Sequence, residues 1–121
     1  MSYWLPSIFV ALTIVGASNQ SDVPAVTEVM PDYIWHFVVY FVFGLTLVFG
    51  QTQNFRHPLS KKALLGLWLG ALLFAISDEA HQYFVVSRSA ESSDLLADSM
   101  GALTAIVGSR FFGIKRYRRF K

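Results

Sequence analysis

The chain has 121 residues, 54% of them hydrophobic and 15% charged, with no cysteine. That length fits one domain, and the composition is too apolar for a soluble domain of this size, so a membrane is the expected solvent. The absence of cysteine excludes disulfides, thiol nucleophiles and thiolate metal sites. The formal charge of +2 arises from a terminal basic cluster beside an apolar stretch, which favours anionic lipid over nucleic acid as partner.

Four apolar segments are predicted as helices. None alternates with period two, and no aromatic girdle repeats at barrel spacing. The first, Tyr3 to Ala17, is short and ends in the small residues Gly16, Ala17 and Ser18. No Lys or Arg precedes it, so it is expected to be a retained membrane helix rather than a signal peptide. The second, Tyr33 to Gly50, follows Pro31 and Asp32, a proline and an acid suited to a helix start. A compact turn is expected over Asn54 to Lys62, around Pro58. The third segment, Ala63 to Ile76, continues amphipathically to Val86, and Ser87 to Ser93 is expected as a loop. Ser92, Ser93 or Asp94 would cap the fourth, Leu95 to Ile114. The second and fourth approach the roughly 20 residues that cross about 30 Å of hydrocarbon, and the first crosses only if the bilayer thins or its ends snorkel.

The charges are segregated. Asp22, Glu28 and Asp32 fall in the first polar interval, and Asp78, Glu79, Glu91, Asp94 and Asp98 fall around the third. Arg56, Lys61 and Lys62 occupy the second, while Arg110, Lys115, Arg116, Arg118, Arg119 and Lys121 form the tail; only Arg88 breaks the pattern. Because Lys and Arg stay on the cytoplasmic side, the expected architecture is an all-α bundle of four transmembrane helices with both termini cytoplasmic. The chain is then one membrane domain over residues 1–121, with a basic tail over 115–121. Lys115, Arg116, Arg118, Arg119 and Lys121, interleaved with Tyr117 and Phe120, suit an anionic headgroup layer.

That topology gathers the polar residues of three helices at the outer face. Asp32, His36 and Tyr40 recur every four residues and share one stripe of the second helix. Asp78, Glu79, His81 and Gln82 occupy the last turns of the third, and Asp94 and Asp98 lie one turn apart on the fourth. Ionisable groups inside a membrane face the bundle interior and pair with one another, and His36, Glu79 and Asp98 are the deepest candidates. Gly101, Ala105 and Gly108 form a small-residue stripe that lets helices approach closely, as do the pairs Gly44 with Gly50 and Gly66 with Gly70. The GxxxG spacing of the last pair serves helix pairing in the bundle or a homo-oligomer. Trp4, Trp35 and Trp68 are expected mostly as lipid-facing or belt residues.

Pro31-Asp32-Tyr33-Ile34-Trp35-His36 with Tyr40 and Gly44, then Ser77-Asp78-Glu79-Ala80-His81-Gln82, Arg88, Ser93-Asp94-Leu95-Leu96-Ala97-Asp98 and Gly101, resemble the VanZ-like family over a core of residues 31–108. The resemblance implies a small multi-helix protein of the bacterial cytoplasmic membrane, related to a protein associated with low-level resistance to the glycopeptide teicoplanin. It also carries over Asp32, His36, Tyr40, Glu79, Gln82, Arg88, Asp94 and Gly101 as recurrent positions. The chain departs from the family pattern at Tyr33, where Lys is common, and at Asp98, where Asn is common.

Two functions compete. In the first, Asp32, His36, Tyr40, Glu79, Gln82, Arg88, Asp94 and Asp98 bind a polar group of an envelope component, either a cell-wall precursor or a lipid headgroup. The Arg88 guanidinium would then hold a carboxylate or phosphate. In the second, the chain is a membrane-embedded hydrolase or transferase acting on a lipid-linked substrate, with His36 as base, oriented by Asp32, and Glu79 as acid. A metal-assisted form would draw on His36, Glu79, His81 and Asp98. The sequence holds no HExxH or other diagnostic ligand spacing, so no metal or cofactor is assigned. A proton relay ranks third, because the opposite halves of the helices carry no acid to continue a path.

Overall fold

A computed structural model describes residues 2–18, 32–84 and 92–119. Among these it contains four helices and no strand: α1 Leu5–Ser18, α2 Asp32–Gln51, α3 Lys61–Tyr83 and α4 Ser92–Arg119. The apolar runs therefore mark the helices to within a few residues, and α2 begins at the Asp that follows Pro31. Three stretches, Tyr33–Gln51, Lys61–His81 and Ser93–Phe112, are long and apolar enough to cross a membrane, and Leu5–Ala17 is a shorter apolar helix. At 1.5 Å per residue, α1 is about 21 Å long, short of the roughly 30 Å of a bilayer core. Phe9, Leu12, Leu73 and Leu96 are all well exposed, as side chains that meet lipid would be.

The contacts fix the directions of the helices. His36 meets Asp98 near the start of both α2 and α4, and Val48 and Ile106 share a cluster further along, so these two helices run parallel. α3 runs against them: Phe74 stacks on Tyr40 and Phe43, while Leu64 packs near Val48 and Ile106. α1 also opposes α2, with Tyr3 edge-on to Phe49 and Ile14 in the cluster that holds Tyr40, Phe43, Ala71 and Ala75. The bundle thus has one end with the starts of α2 and α4 and the close of α3. The other end holds the start of α1, the α2–α3 turn and the later part of α4.

The α2–α4 seam is the closest approach in the molecule, and small residues make it. A Cβ at Gly101 would collide with the Phe37 carbonyl oxygen, and one at Gly44 would lie 2.9 Å from the Ala102 carbonyl oxygen and 3.0 Å from the Ala105 Cβ. Ala102 and Ala105 are buried in the same seam. Gly108, by contrast, faces open space, and so do Gly66 and Gly70, whose spacing is not used for packing within the described bundle. Gly50 is covered by the Trp4 ring instead. Trp68 departs from the belt expectation: its indole Nε1 donates to the Ser99 carbonyl at 3.3 Å and so ties α3 to α4.

The turn after α2 is tight and strained. Gln53, Asn54 and Phe55 have φ of 51°, 63° and 59°, a left-handed stretch that disfavours side chains by about 1–2 kcal/mol per residue. Buried Thr52 holds it. The Thr52 hydroxyl donates to the Val48 carbonyl at 2.7 Å and accepts from the Phe55 amide at 3.0 Å, and the Thr52 carbonyl accepts the Arg56 and His57 amides. Ser60 then caps α3, its hydroxyl accepting from the Ala63 amide at 3.1 Å. Lys61 and Lys62 consequently open α3 rather than close the turn. Arg110 reaches back to the same region, its Nε donating to the Leu59 carbonyl at 3.3 Å.

Candidate functional site

Helix periodicity delivers polar groups from three helices to one end of this core. On α2, His36 and Tyr40 are one turn apart and both buried, with Tyr40 only 1% exposed. On α4, Asp94 and Asp98 are one turn apart and 2% and 1% exposed. The close seam at Gly101 lets the two pairs meet: His36 Nδ1 lies 2.7 Å from Asp98 Oδ1, and His36 Nε2 lies 3.7 Å from Asp94 Oδ2. The shorter distance is that of a strong hydrogen bond between Nδ1–H and a carboxylate. It links residues 62 positions apart in sequence and fixes the imidazole ring.

α3 supplies the third side. Ala71, Ala75 and Asp78 share one face at helical spacing, and all three are buried, so Asp78 enters the interior behind two alanines. Glu79 is half-buried overall, yet both of its carboxylate oxygens are shielded from solvent. The Tyr40 hydroxyl lies within electrostatic range of Asp98, Asp78 and Glu79, which puts all four groups in one neighbourhood. Phe43 and Phe74 close off the space beneath, with ring centroids 5.9 and 6.4 Å from Tyr40.

Of the residues singled out from sequence, His36, Tyr40, Glu79, Asp94 and Asp98 come together. Asp32 and Gln82 lie on the described helices α2 and α3, but their side chains fall outside the described set. Arg88 lies outside the described residues altogether. Among the described residues, His36 is held by Asp98 from another helix. Asp78 joins them as a buried acid that its place in the last turns of the third segment did not single out as a site residue. The signal for it was the Ala71-Ala75-Asp78 stripe, which marks the interior face of α3.

Among the described residues, no three His, Asp or Glu side chains are placed to hold a metal ion. His81 is exposed. A separate open groove of about 440 Å³ runs along the opposite face of the α2–α4 pair, lined by Tyr33, Ile34, Phe37, Ser93, Leu96, Ala97 and Met100. None of the clustered acids lines it, and its walls are mostly apolar side chains of the two membrane-length helices.

Fold and site together define a small helical membrane protein with an ionisable cluster buried at one end of its bundle. The VanZ/LLP1 family model matches residues 6–113, and the chain belongs to that family. The match takes in nearly all of the first helix, the whole of α2 and α3 and most of α4. Neither the curated proteins nor the solved structures include a match to the chain.

Proposed function

We propose that this chain is a four-crossing protein of the bacterial cytoplasmic membrane, with both termini cytoplasmic. Its outward-facing polar cluster binds a polar group of an envelope component, a cell-wall precursor or lipid headgroup, and thereby contributes to tolerance of teicoplanin-type glycopeptides. The observation that carries the binding function is the buried hydrogen bond between His36 and Asp98 at 2.7 Å, with Asp94 and Tyr40 beside it. Each ionisable group at membrane depth costs about 2.5–3.5 kcal/mol or more on insertion scales, which makes such groups marks of function.

The orientation is supported by the distribution of cations. Arg56 in the α2–α3 turn, Lys61 and Lys62 at the start of α3 and Arg110 on α4 share one end of the bundle, opposite His36 and its acids. Lys and Arg favour the cytoplasmic side, so the acidic end faces outward. Lys115, Arg116, Arg118, Arg119 and Lys121 would then meet the anionic inner leaflet. α1 packs its Ile14 into the core, and Trp4 just before it covers Gly50, as a retained fourth crossing would. Arg88, in the outward interval between α3 and α4, would hold an anionic part of the ligand.

The test is the teicoplanin susceptibility of a host expressing the chain. Tolerance should rise with the wild type and be lost in His36→Ala and Arg88→Ala while both variants still accumulate in the membrane. Unchanged susceptibility with the wild type would remove the resistance role, and wild-type behaviour of Arg88→Ala would remove the anion-holding role. Because the chain has no cysteine, single cysteines at Ser87 and Asn54 report topology directly. An impermeant maleimide should label Ser87→Cys and not Asn54→Cys in intact cells.

A further inference from the structure

Resting on the binding function proposed above, we infer that Tyr40 and Asp98 together hold an alcohol hydroxyl of the ligand, as carried by a polyol or a sugar. The site is formed by two buried oxygens from different helices. The Tyr40 hydroxyl makes no hydrogen bond with any described residue, and neither does Asp98 Oδ2. Both residues are only 1% exposed, so bulk water does not satisfy either atom. A buried donor or acceptor without a partner is costly, and native proteins leave few of them. Packing does not call for the Tyr40 oxygen. Its ring lies edge-on to Phe43 and tilted against Phe74, with centroids 5.9 and 6.4 Å away, contacts that a phenylalanine would make as well.

The two oxygens have complementary roles. Asp98 Oδ1 accepts from His36 Nδ1–H at 2.7 Å, which leaves Oδ2 as a further acceptor. The Tyr40 phenol supplies an O–H donor. The two groups lie within electrostatic range without bonding each other, so a group between them must accept from Tyr40 and donate to Asp98. An alcohol hydroxyl does both and brings no charge. A methyl ether has nothing to donate. A vicinal diol spans a wider gap than one hydroxyl, with one oxygen towards each residue. Helical side chains lean towards the N-terminus of their own helix, so Tyr40 and Asp98 both incline to the end where α2 and α4 begin. The proposed orientation turns that end outward, where envelope components meet the protein.

Such a diol occurs on a glycerol headgroup and on a sugar, and the experiment separates the two. The full chain in nanodiscs of phosphatidylcholine, whose headgroup has no hydroxyl, is titrated with phosphatidylglycerol or with methyl glucoside. Phosphatidylmethanol and fully O-methylated methyl glucoside are the matched probes, equal in charge and without a hydroxyl. Binding is followed by tryptophan fluorescence, since Trp35 adjoins His36 in sequence and the Trp68 indole bonds the carbonyl of Ser99, next to Asp98. At least one hydroxyl probe should bind about tenfold or more tightly than its methylated match, the ratio expected for losing a hydrogen bond to a charged group. Whichever one does so identifies the source as lipid or sugar. Tyr40→Phe should cut that preference about fivefold, with an unfolding midpoint in detergent at or above that of the wild type. Asp98→Asn, which puts an N–H donor in place of an accepting oxygen, should cut it as well.

Equal affinity for a hydroxyl probe and its methylated match would overturn the assignment, and so would a preference unchanged in both variants. A lowered midpoint of Tyr40→Phe with the preference intact would also overturn it, as the signature of a bridging water only. If a methylated probe binds as well as its match and His36→Ala abolishes that binding, the hydroxyl assignment fails while the binding function stands. Failure of all four probes overturns the assignment too, and the teicoplanin susceptibility of the His36→Ala host then decides the binding function separately.

Discussion

The two ends of the α2–α4 seam use the same helices in the same parallel arrangement but fill the space between them differently. Towards the basic end, Val48 and Ile106 meet Leu59 in an apolar cluster that Ala63, Leu64, Leu67 and Trp68 complete. At the acidic end, His36, Asp94 and Asp98 lie at comparable depth, with Tyr40 between α2 and α3. Apolar packing at one end shows that the seam needs no charge to close. Replacing a buried ion pair by apolar residues of similar size is often neutral or stabilising. Closure of the seam is thus explained by its small residues, and the charges at the other end are what the proposed binding function accounts for.

The largest expected effect breaks the seam itself. Gly101→Leu would drive a side chain into the Phe37 backbone, which cannot yield as a flexible side chain can. Overpacking costs about 1–3 kcal/mol when side chains can adjust and more when backbone must move. The variant should unfold in detergent at markedly lower denaturant than the wild type, with both ends of the seam lost together. Asp98→Ala comes next, because it removes one partner of the 2.7 Å bond and strands the other. A loss of about 1.5–3 kcal/mol is expected, the range for hydrogen bonds to charged groups, measured by the same unfolding titration. An unchanged midpoint would mean that His36 is not held by Asp98. The smallest effect has the opposite sign: Gly66→Ala and Gly70→Ala meet nothing within 4 Å and add helix propensity. Each should stabilise by up to about 1 kcal/mol in the monomer, and a destabilisation would reveal packing on that face against a second copy.

The comparison also explains what the sequence could reveal. Helix positions were legible because long apolar runs leave few alternatives in a membrane, and Pro31 with Asp32 marked the start of α2. The recurrence of His36 and Tyr40, and of Asp94 and Asp98, at one-turn spacing placed each pair on one face without contact information. What periodicity cannot reveal is which faces meet. The bond from His36 to Asp98 spans 62 positions and depends on how closely Gly101 admits α2, a property of the packed pair. Asp78 was hidden for the same reason, since its role follows from Ala71 and Ala75 facing inward. The GxxxG spacing does not mark the seam: Gly66 and Gly70 face open space in the single chain, whereas Gly44 and Gly101, far apart in sequence, make the close contact.

The most direct measurement of whether the charged end is retained for binding is the unfolding midpoint of the double variant His36→Leu with Asp98→Leu, purified in the same detergent as the wild type. It gives the acidic end the apolar filling that the basic end already has. The account predicts a midpoint equal to or above that of the wild type, since two apolar side chains replace a buried pair that is costly to desolvate. A midpoint lowered as far as that of Asp98→Ala alone would contradict it, and would make the His36–Asp98 pair a structural brace of the bundle.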